Sequence, residues 1–290
     1  MSRKHGYFIG LLVILAGIGG YNAGWDLRAG TTEIKSARHE TALDRIRRTG
    51  IMRCGYAVWV PILLRDPNTG TMSGLGYDTM NVLARELDVK IEWTQEVGYG
   101  DYQEALNGGR IDVMCSPVWQ SGTRAKAALL SKPLFYDALV AFAREDDHRF
   151  DQGLQTINQP DVRVAVIDGD APQNARRTHF PKSQERALPQ SADAVQAFME
   201  VATNKADIVL DNYDNEIRFN SGAHKKLKVI AGGAPVQMFG DSLAVRSGEA
   251  DLKAALDTVI DVLNNGGIAA PIVEKYGPNY IAAASSYATK

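Results

Sequence analysis

The stretch ALVAFAREDD, residues 138–147, decides the fold. Up to this point short apolar runs alternate with helical patterns: IMRCGYA (51–57), VKIEWT (89–94) and IDVMC (111–115) read as strands bounded by turn residues. Between them Met80, Leu83 and Leu87 fall on one helical face. Residues 138–147 break that rhythm, because no helix precedes them. The alternation then resumes with VRVAVI (162–167), DIVL (207–210) and LKVIAG (227–232), and with a stripe of Val195, Phe198, Met199 and Ala202. A second extended segment, FGDSLAVRSG (239–248), follows, and Leu252, Leu256, Val259, Ile260 and Leu263 form the longest helical stripe. Alternating strands and helices imply α/β architecture with mainly parallel sheets. Two crossover strands that bracket a block of chain imply two lobes, with the chain passing out of the first and returning to it. This places lobe 1 at 42–142 and 237–290, and lobe 2 at 143–236.

Composition is that of a globular protein, with 45% hydrophobic and 23% charged residues. A net charge of −2 supplies no basic field for nucleic acid. The start, MSRKHGYFIGLLVILAGIGGYNAGW (1–25), has a basic cluster and then an apolar run. That is the pattern of a signal peptide, and the uncharged stretch Tyr7–Trp25 is also long enough for a membrane anchor. Either way the remainder is exported, to a periplasmic or other extracytoplasmic space. Residues 26–41 are polar and aperiodic, as in a linker. Export permits a disulfide between Cys54 and Cys115, but both read as buried, and the expected state is two free core thiols. The five histidines show no ligand spacing, so neither a metal nor another cofactor is expected.

The cleft between two such lobes is a natural ligand site, lined by loops at the carboxyl ends of strands. Candidates from lobe 1 are Trp59, Tyr77, Ser116, Trp119, Ser121 and Arg124, and from lobe 2 Asp170 and Asp211. Aromatic rings can sandwich a small guest, a guanidinium can grip a carboxylate in a planar fork, and an aspartate can receive an ammonium group. Each has a plainer reading. Asp170 suits a helix N-cap, Asp211 a turn, and the aromatics a core.

Several segments in order carry a resemblance. LDRIRRTGIMRCGY (43–56), GYDTMNVLARELDVKIEW (76–93), ALNGGRIDVMCSPVWQSGTR (105–124), LLSKPLFY (129–136) and NNGGIAAPIVEKYG (264–277) are similar to stretches of the family 3 extracellular solute-binding proteins, which serve polar amino-acid uptake by ABC transporters. The resemblance covers roughly residues 42–278 and implies the two-lobed periplasmic-binding-protein fold. It implies a protein, acting as a monomer, that captures a small polar ligand with a carboxylate and passes it to an ABC permease in the membrane. By the same resemblance Trp59 and Tyr77 flank the ligand, and Arg124 grips an α-carboxylate near Ser116 and Ser121. Asp211 takes the α-ammonium group. Asp170 departs from the family's pattern, which has serine or threonine there, and an aspartate would repel a carboxylate. Two other functions suit the same fold. One is a dehydratase resembling enzymes that act on prephenate or arogenate, with Asp170 as acid. The other is a ligand sensor for a membrane partner.

Overall fold

The computed structural model describes residues 40–222 and 225–284. The apolar start and nearly all of the predicted linker therefore lie outside the described residues. No helix among the described residues is long and apolar enough to cross a membrane.

Helix α1 (Ala42–Thr49) opens on Thr41, whose hydroxyl accepts from the Asp44 amide, and stops at Gly50 in the left-handed region. Strand β1 (Ile51–Tyr56) follows. A hairpin of β2 (Leu64–Arg65) and β3 (Met72–Ser73) leads to α2 (Leu75–Glu86), and then come β4 (Lys90–Glu96), α3 (Tyr102–Asn107) and β5 (Val113–Trp119). Strand β1 pairs in parallel with both β4 and β5. Beyond α4 (Gly122–Ala127) runs β6 (Leu129–Arg144), the segment that broke the pattern in the sequence.

The second block repeats the arrangement: β7 (Arg163–Ile167), α5 (Ala171–His179), β8 (Gln184–Leu188), α6 (Ala194–Ala202), β9 (Ile208–Asp211) and α7 (Tyr213–Gly222). Strand β7 lies parallel between β8 and β9. After β10 (Leu227–Val229) the chain returns along β11 (Gln237–Val245) and closes with α8 (Ala250–Asn265), α9 (Ala269–Glu274) and β12 (Tyr280–Ala282). The strand order is β4-β1-β5-β11-β6-β9-β7-β8. The two parallel blocks are joined through the antiparallel pair β6 and β11, so the fold is the expected two-lobed α/β architecture.

One core gathers Met52, Cys54, Val113 and Phe135 with the stripes of α2 and α8. On the second block Val164, Val166, Ile208 and Leu210 pack towards α5, while Ala165 and Val209 pack on the other side with Phe198 and Val201 of α6. Met199, expected in that stripe, is exposed, because the buried face of α6 runs through Ala197, Phe198, Val201 and Ala202.

The two blocks also share an electrostatic device. Asp112, just before β5, accepts from the Arg53 amide and pairs with the Arg53 and Arg45 guanidinium groups. Asp207, just before β9, accepts from the Arg163 amide at 2.9 Å and pairs with Arg163 and Arg149. Each buried carboxylate thus fixes the start of one parallel strand against its neighbour. Although burial alone would raise the Asp207 pKa, the guanidinium groups outweigh it and hold the carboxyl well below the usual range.

The cysteine expectation is corrected. Cys54 and Cys115 form a disulfide, with Cα atoms 5.4 Å apart. They sit on neighbouring strands β1 and β5, so burial and bonding go together instead of competing.

Replacing both cysteines, Cys54→Ala with Cys115→Ala, is expected to lower unfolding free energy by about 2–4 kcal/mol in denaturant titration, since the bond closes a long loop. Asp207→Asn is expected to cost about 1–2 kcal/mol at neutral pH. The folded pKa lies below the unfolded value of about 3.9, so this stabilisation is complete above about pH 4 and is lost as pH falls through the folded value. The stability gap between wild type and variant should therefore narrow in acid.

Candidate functional site

A cleft of about 980 Å³ lies between the two blocks. Its walls are the segments that leave the carboxyl ends of parallel strands: Ala57–Trp59 after β1, Val97–Asp101 after β4, Thr123 and Arg124 after β5, Asp168–Asp170 after β7, Gln190–Asp193 after β8, and Asn212 after β9. This is the usual place for a ligand in parallel α/β sheets.

The first block supplies an aromatic wall. Trp59 meets Tyr99 edge-on at 5.9 Å and Trp119 at 6.2 Å between ring centroids, and Trp119 stacks on Phe239 at 4.9 Å. The loop that carries Trp59 is closed by reciprocal backbone hydrogen bonds between Trp59 and Leu63. The Trp59 indole nitrogen and the Tyr99 hydroxyl are buried and have no protein partner, whereas the Trp119 indole is directed at the Asp137 carboxyl. A ring wall with unpaired donors offers both stacking and hydrogen bonding.

Arg124 is held from its own side. Ser121 caps α4 by accepting from the Arg124 amide, and one guanidinium nitrogen donates to the Trp119 carbonyl at 3.0 Å. The other reaches across the cleft to Asp170 Oδ1, also at 3.0 Å. Asp170 is equally fixed. Gly169 takes φ +80°, which glycine tolerates, and turns the chain off β7. Asp170 Oδ1 then accepts the Ala171 amide at 2.8 Å as the N-cap of α5. One oxygen thus serves both as the helix cap and as the acceptor for Arg124 across the cleft. Nearby, Asn174 donates to the Thr123 hydroxyl at 3.4 Å, a second link between the blocks.

Asp211, at the end of β9, accepts from the Asn212 amide and from the Asn215 side chain. Burial pushes its carboxyl up to about 7, and the negative charges of Asp170 and Asp193 add to the shift. Asp193 accepts the Val195 amide as the N-cap of α6 and pairs with Arg218 at 3.0 Å. The lining therefore holds Glu96, Asp101, Asp168, Asp170, Asp193 and Asp211 against Arg124 and Arg218. Behind the aromatic wall, on β6 and β11, Asp137 and Asp241 are buried, and burial raises both pKa values. Both oxygens of Asp241 lack a protein partner. Among the described residues no group of three or more histidine, cysteine or acidic side chains could hold a metal ion.

The structure thus brings Trp59, Trp119, Arg124, Asp170 and Asp211 together and leaves three predicted residues out. Tyr77 packs on Trp93 at 6.0 Å, in a cluster with Tyr56, Leu63 and Met72, because its face of α2 covers the sheet edge. Ser116 is fully buried and spends its hydroxyl on the Ala57 amide and carbonyl, which ties β5 to the end of β1. Ser121 acts through Arg124 as its cap, without lining the cleft. Tyr99, Glu96, Asp101, Asp193 and Arg218 line the cleft and were not singled out in the sequence. For Tyr99 the signal was present: an aromatic between two glycines, VGYGD, directly after a strand.

Comparison with solved structures places this architecture. An ancestral amino-acid-binding protein, described as a precursor of cyclohexadienyl dehydratase, is 23% identical, with 82% of this chain and 100% of that chain covered and a TM-score of 0.64. An ancestral arginine-binding protein bound to arginine is 20% identical, with 78% and 98% covered and a TM-score of 0.63. A putative ABC-transporter binding component from Wolinella succinogenes, complexed with lysine, is 15% identical, with 78% and 95% covered and a TM-score of 0.63. Among curated proteins none matches this chain. Over residues 52–279 the chain matches the model of the bacterial extracellular solute-binding proteins, family 3, and it belongs to that family.

Proposed function

We propose that this protein captures a small, polar, positively charged solute of the amino-acid kind outside the cytoplasm and hands it to an ABC permease. The observation that carries this reading is the cleft lining: an aromatic wall on one side and an excess of carboxylates around it. Opposite charge on a desolvated surface favours a cation, and ring faces add cation–π attraction. In this reading the jaws are residues 42–142 with 237–290, and residues 143–236, closing about β6 and β11. Neighbours of this fold whose descriptions name arginine and lysine support the same solute class. The disulfide supports an exported, oxidising location.

The enzyme reading has one observation in its favour, a buried acid facing the cleft: Asp211, raised to about 7. Asp170, the acid named from the sequence, is instead engaged as an acceptor by Arg124 and by its helix. Incubation with prephenate or arogenate separates the two functions, and the binding reading expects no aromatic product. Native mass spectrometry of the purified protein should show a small cation bound at one per chain; a lasting mass match to the bare chain at saturating arginine and lysine would count against capture.

Binding should depend on pH through Asp211. Below about pH 7 its carboxyl is protonated and attracts a cation less, so affinity should fall by up to about tenfold per unit as pH drops. Asp211→Asn should flatten that dependence in calorimetry between pH 6 and 8.

A further inference from the structure

We infer that the preferred guest is an organic cation without a carboxylate, because Asp170 already places a carboxylate on Arg124. This rests on the proposed binding role and its preference for a cation, and moves the preferred guest from the amino acid itself to a decarboxylated relative. The cleft has two kinds of device for a guest carboxylate, a guanidinium and the N-termini of helices that face it. Both are taken by the protein's own side chains. Arg124 donates to Asp170 Oδ1, and the same oxygen caps α5. Arg218 donates to Asp193, which caps α6. At α7 the Asn215 amide is met as well, donating to Asn212 Oδ1. Both lining arginines are thus neutralised within the lining itself.

The Arg124–Asp170 pair is not a loose surface contact that a guest would brush aside. Each partner is anchored by the backbone of its own block, Arg124 through the Trp119 carbonyl and Asp170 through its cap. The Arg124 side chain is only 13% exposed. A guest carboxylate would have to displace an oxygen fixed at hydrogen-bond distance, then sit beside it as a like charge. A carboxylate-free cation meets no such conflict. It finds the Glu96, Asp101 and Asp211 carboxylates, none of which is paired with a lining arginine, and the ring faces of Trp59, Tyr99 and Trp119. The excess negative charge then becomes binding free energy and not repulsion.

The test is calorimetric titration of the protein with two matched pairs: arginine against agmatine, which is arginine without its carboxylate, and lysine against cadaverine. The decarboxylated member of each pair should bind at least about tenfold more tightly. In Asp170→Asn, which keeps a capping oxygen but removes the negative charge beside Arg124, the preference should move towards arginine by about tenfold or more. Asp170→Thr serves the same purpose if the asparagine variant does not fold. Arginine binding as tightly as agmatine in the wild type, or a ratio unchanged in a folded Asp170 variant, would overturn the inference while leaving the binding role intact. Silence with all four compounds would overturn it too, and native mass spectrometry of the purified protein then judges the binding role separately.

Discussion

Strand β6 is the constraint on which the rest of this molecule depends. It pairs with β11 and β12 near its start and with β9 and β10 near its end, so one continuous strand holds hydrogen bonds in both blocks. Against β11 the pairing runs from Leu129 to Leu139, and its register shifts between Asp241 and Ser242 and again before Ala244, so irregularities near the start of β6 precede the regular stretch that leads into the second block. The returning strand β11 locks it from one side and lies against β5 on the other. The parallel strands of each block end facing the gap that this pair spans, and their outgoing loops have nowhere to go but into the cleft. A site built on loops is thereby placed by a strand pair that both blocks share.

Electrostatics divides the acidic residues into two populations. Asp112 and Asp207 are buried against arginines and fix strand starts; they lie away from the cleft. Asp137, Asp211 and Asp241 are buried without a salt bridge to any described residue, and burial raises the pKa of each, at Asp241 against the opposing pull of Arg124. Keeping such groups costs stability, because a buried carboxyl without a counter-charge loses its hydration. Of the three, Asp211 lines the cleft, and on the proposed reading an incoming cation would offset part of that cost there.

Much of the fold was legible because it rests on periodicity. The stripes of α2 and α8, the apolar strands β1, β5, β7 and β9, and the segment that breaks the alternation all carry local signals. Strand β8 did not. Its sequence QERAL has polar and charged residues at an edge, where one side faces water and apolar runs are not required. The site was half legible. Trp59, Arg124 and Asp170 follow a strand, Trp119 and Asp211 end one, and all five converge. Ser116 lies within β5 and Tyr77 in the first turn of α2, where side-chain direction decides between cleft and core, and residue type does not reveal it. The disulfide was hidden for a related reason: two buried cysteines on separate strands look the same in sequence whether the strands are neighbours or not.

On the proposed reading, Asp170 changes the guest of a family fold with little change in shape. A threonine there would leave the α5 amides and Arg124 open to a guest's anion. An aspartate fills both with a side chain that costs nothing in translational entropy, being already attached. The pair also links the two blocks, joining α5 to Arg124 together with the Asn174–Thr123 contact. The link between the blocks and selection would then be one interaction. The protein supplies the anion that a zwitterionic guest would otherwise bring, so what remains for the guest to contribute is positive charge and a flat or flexible body to lie against the rings. Discrimination of this kind works by exclusion, through an unfavourable meeting of like charges, as much as by attraction.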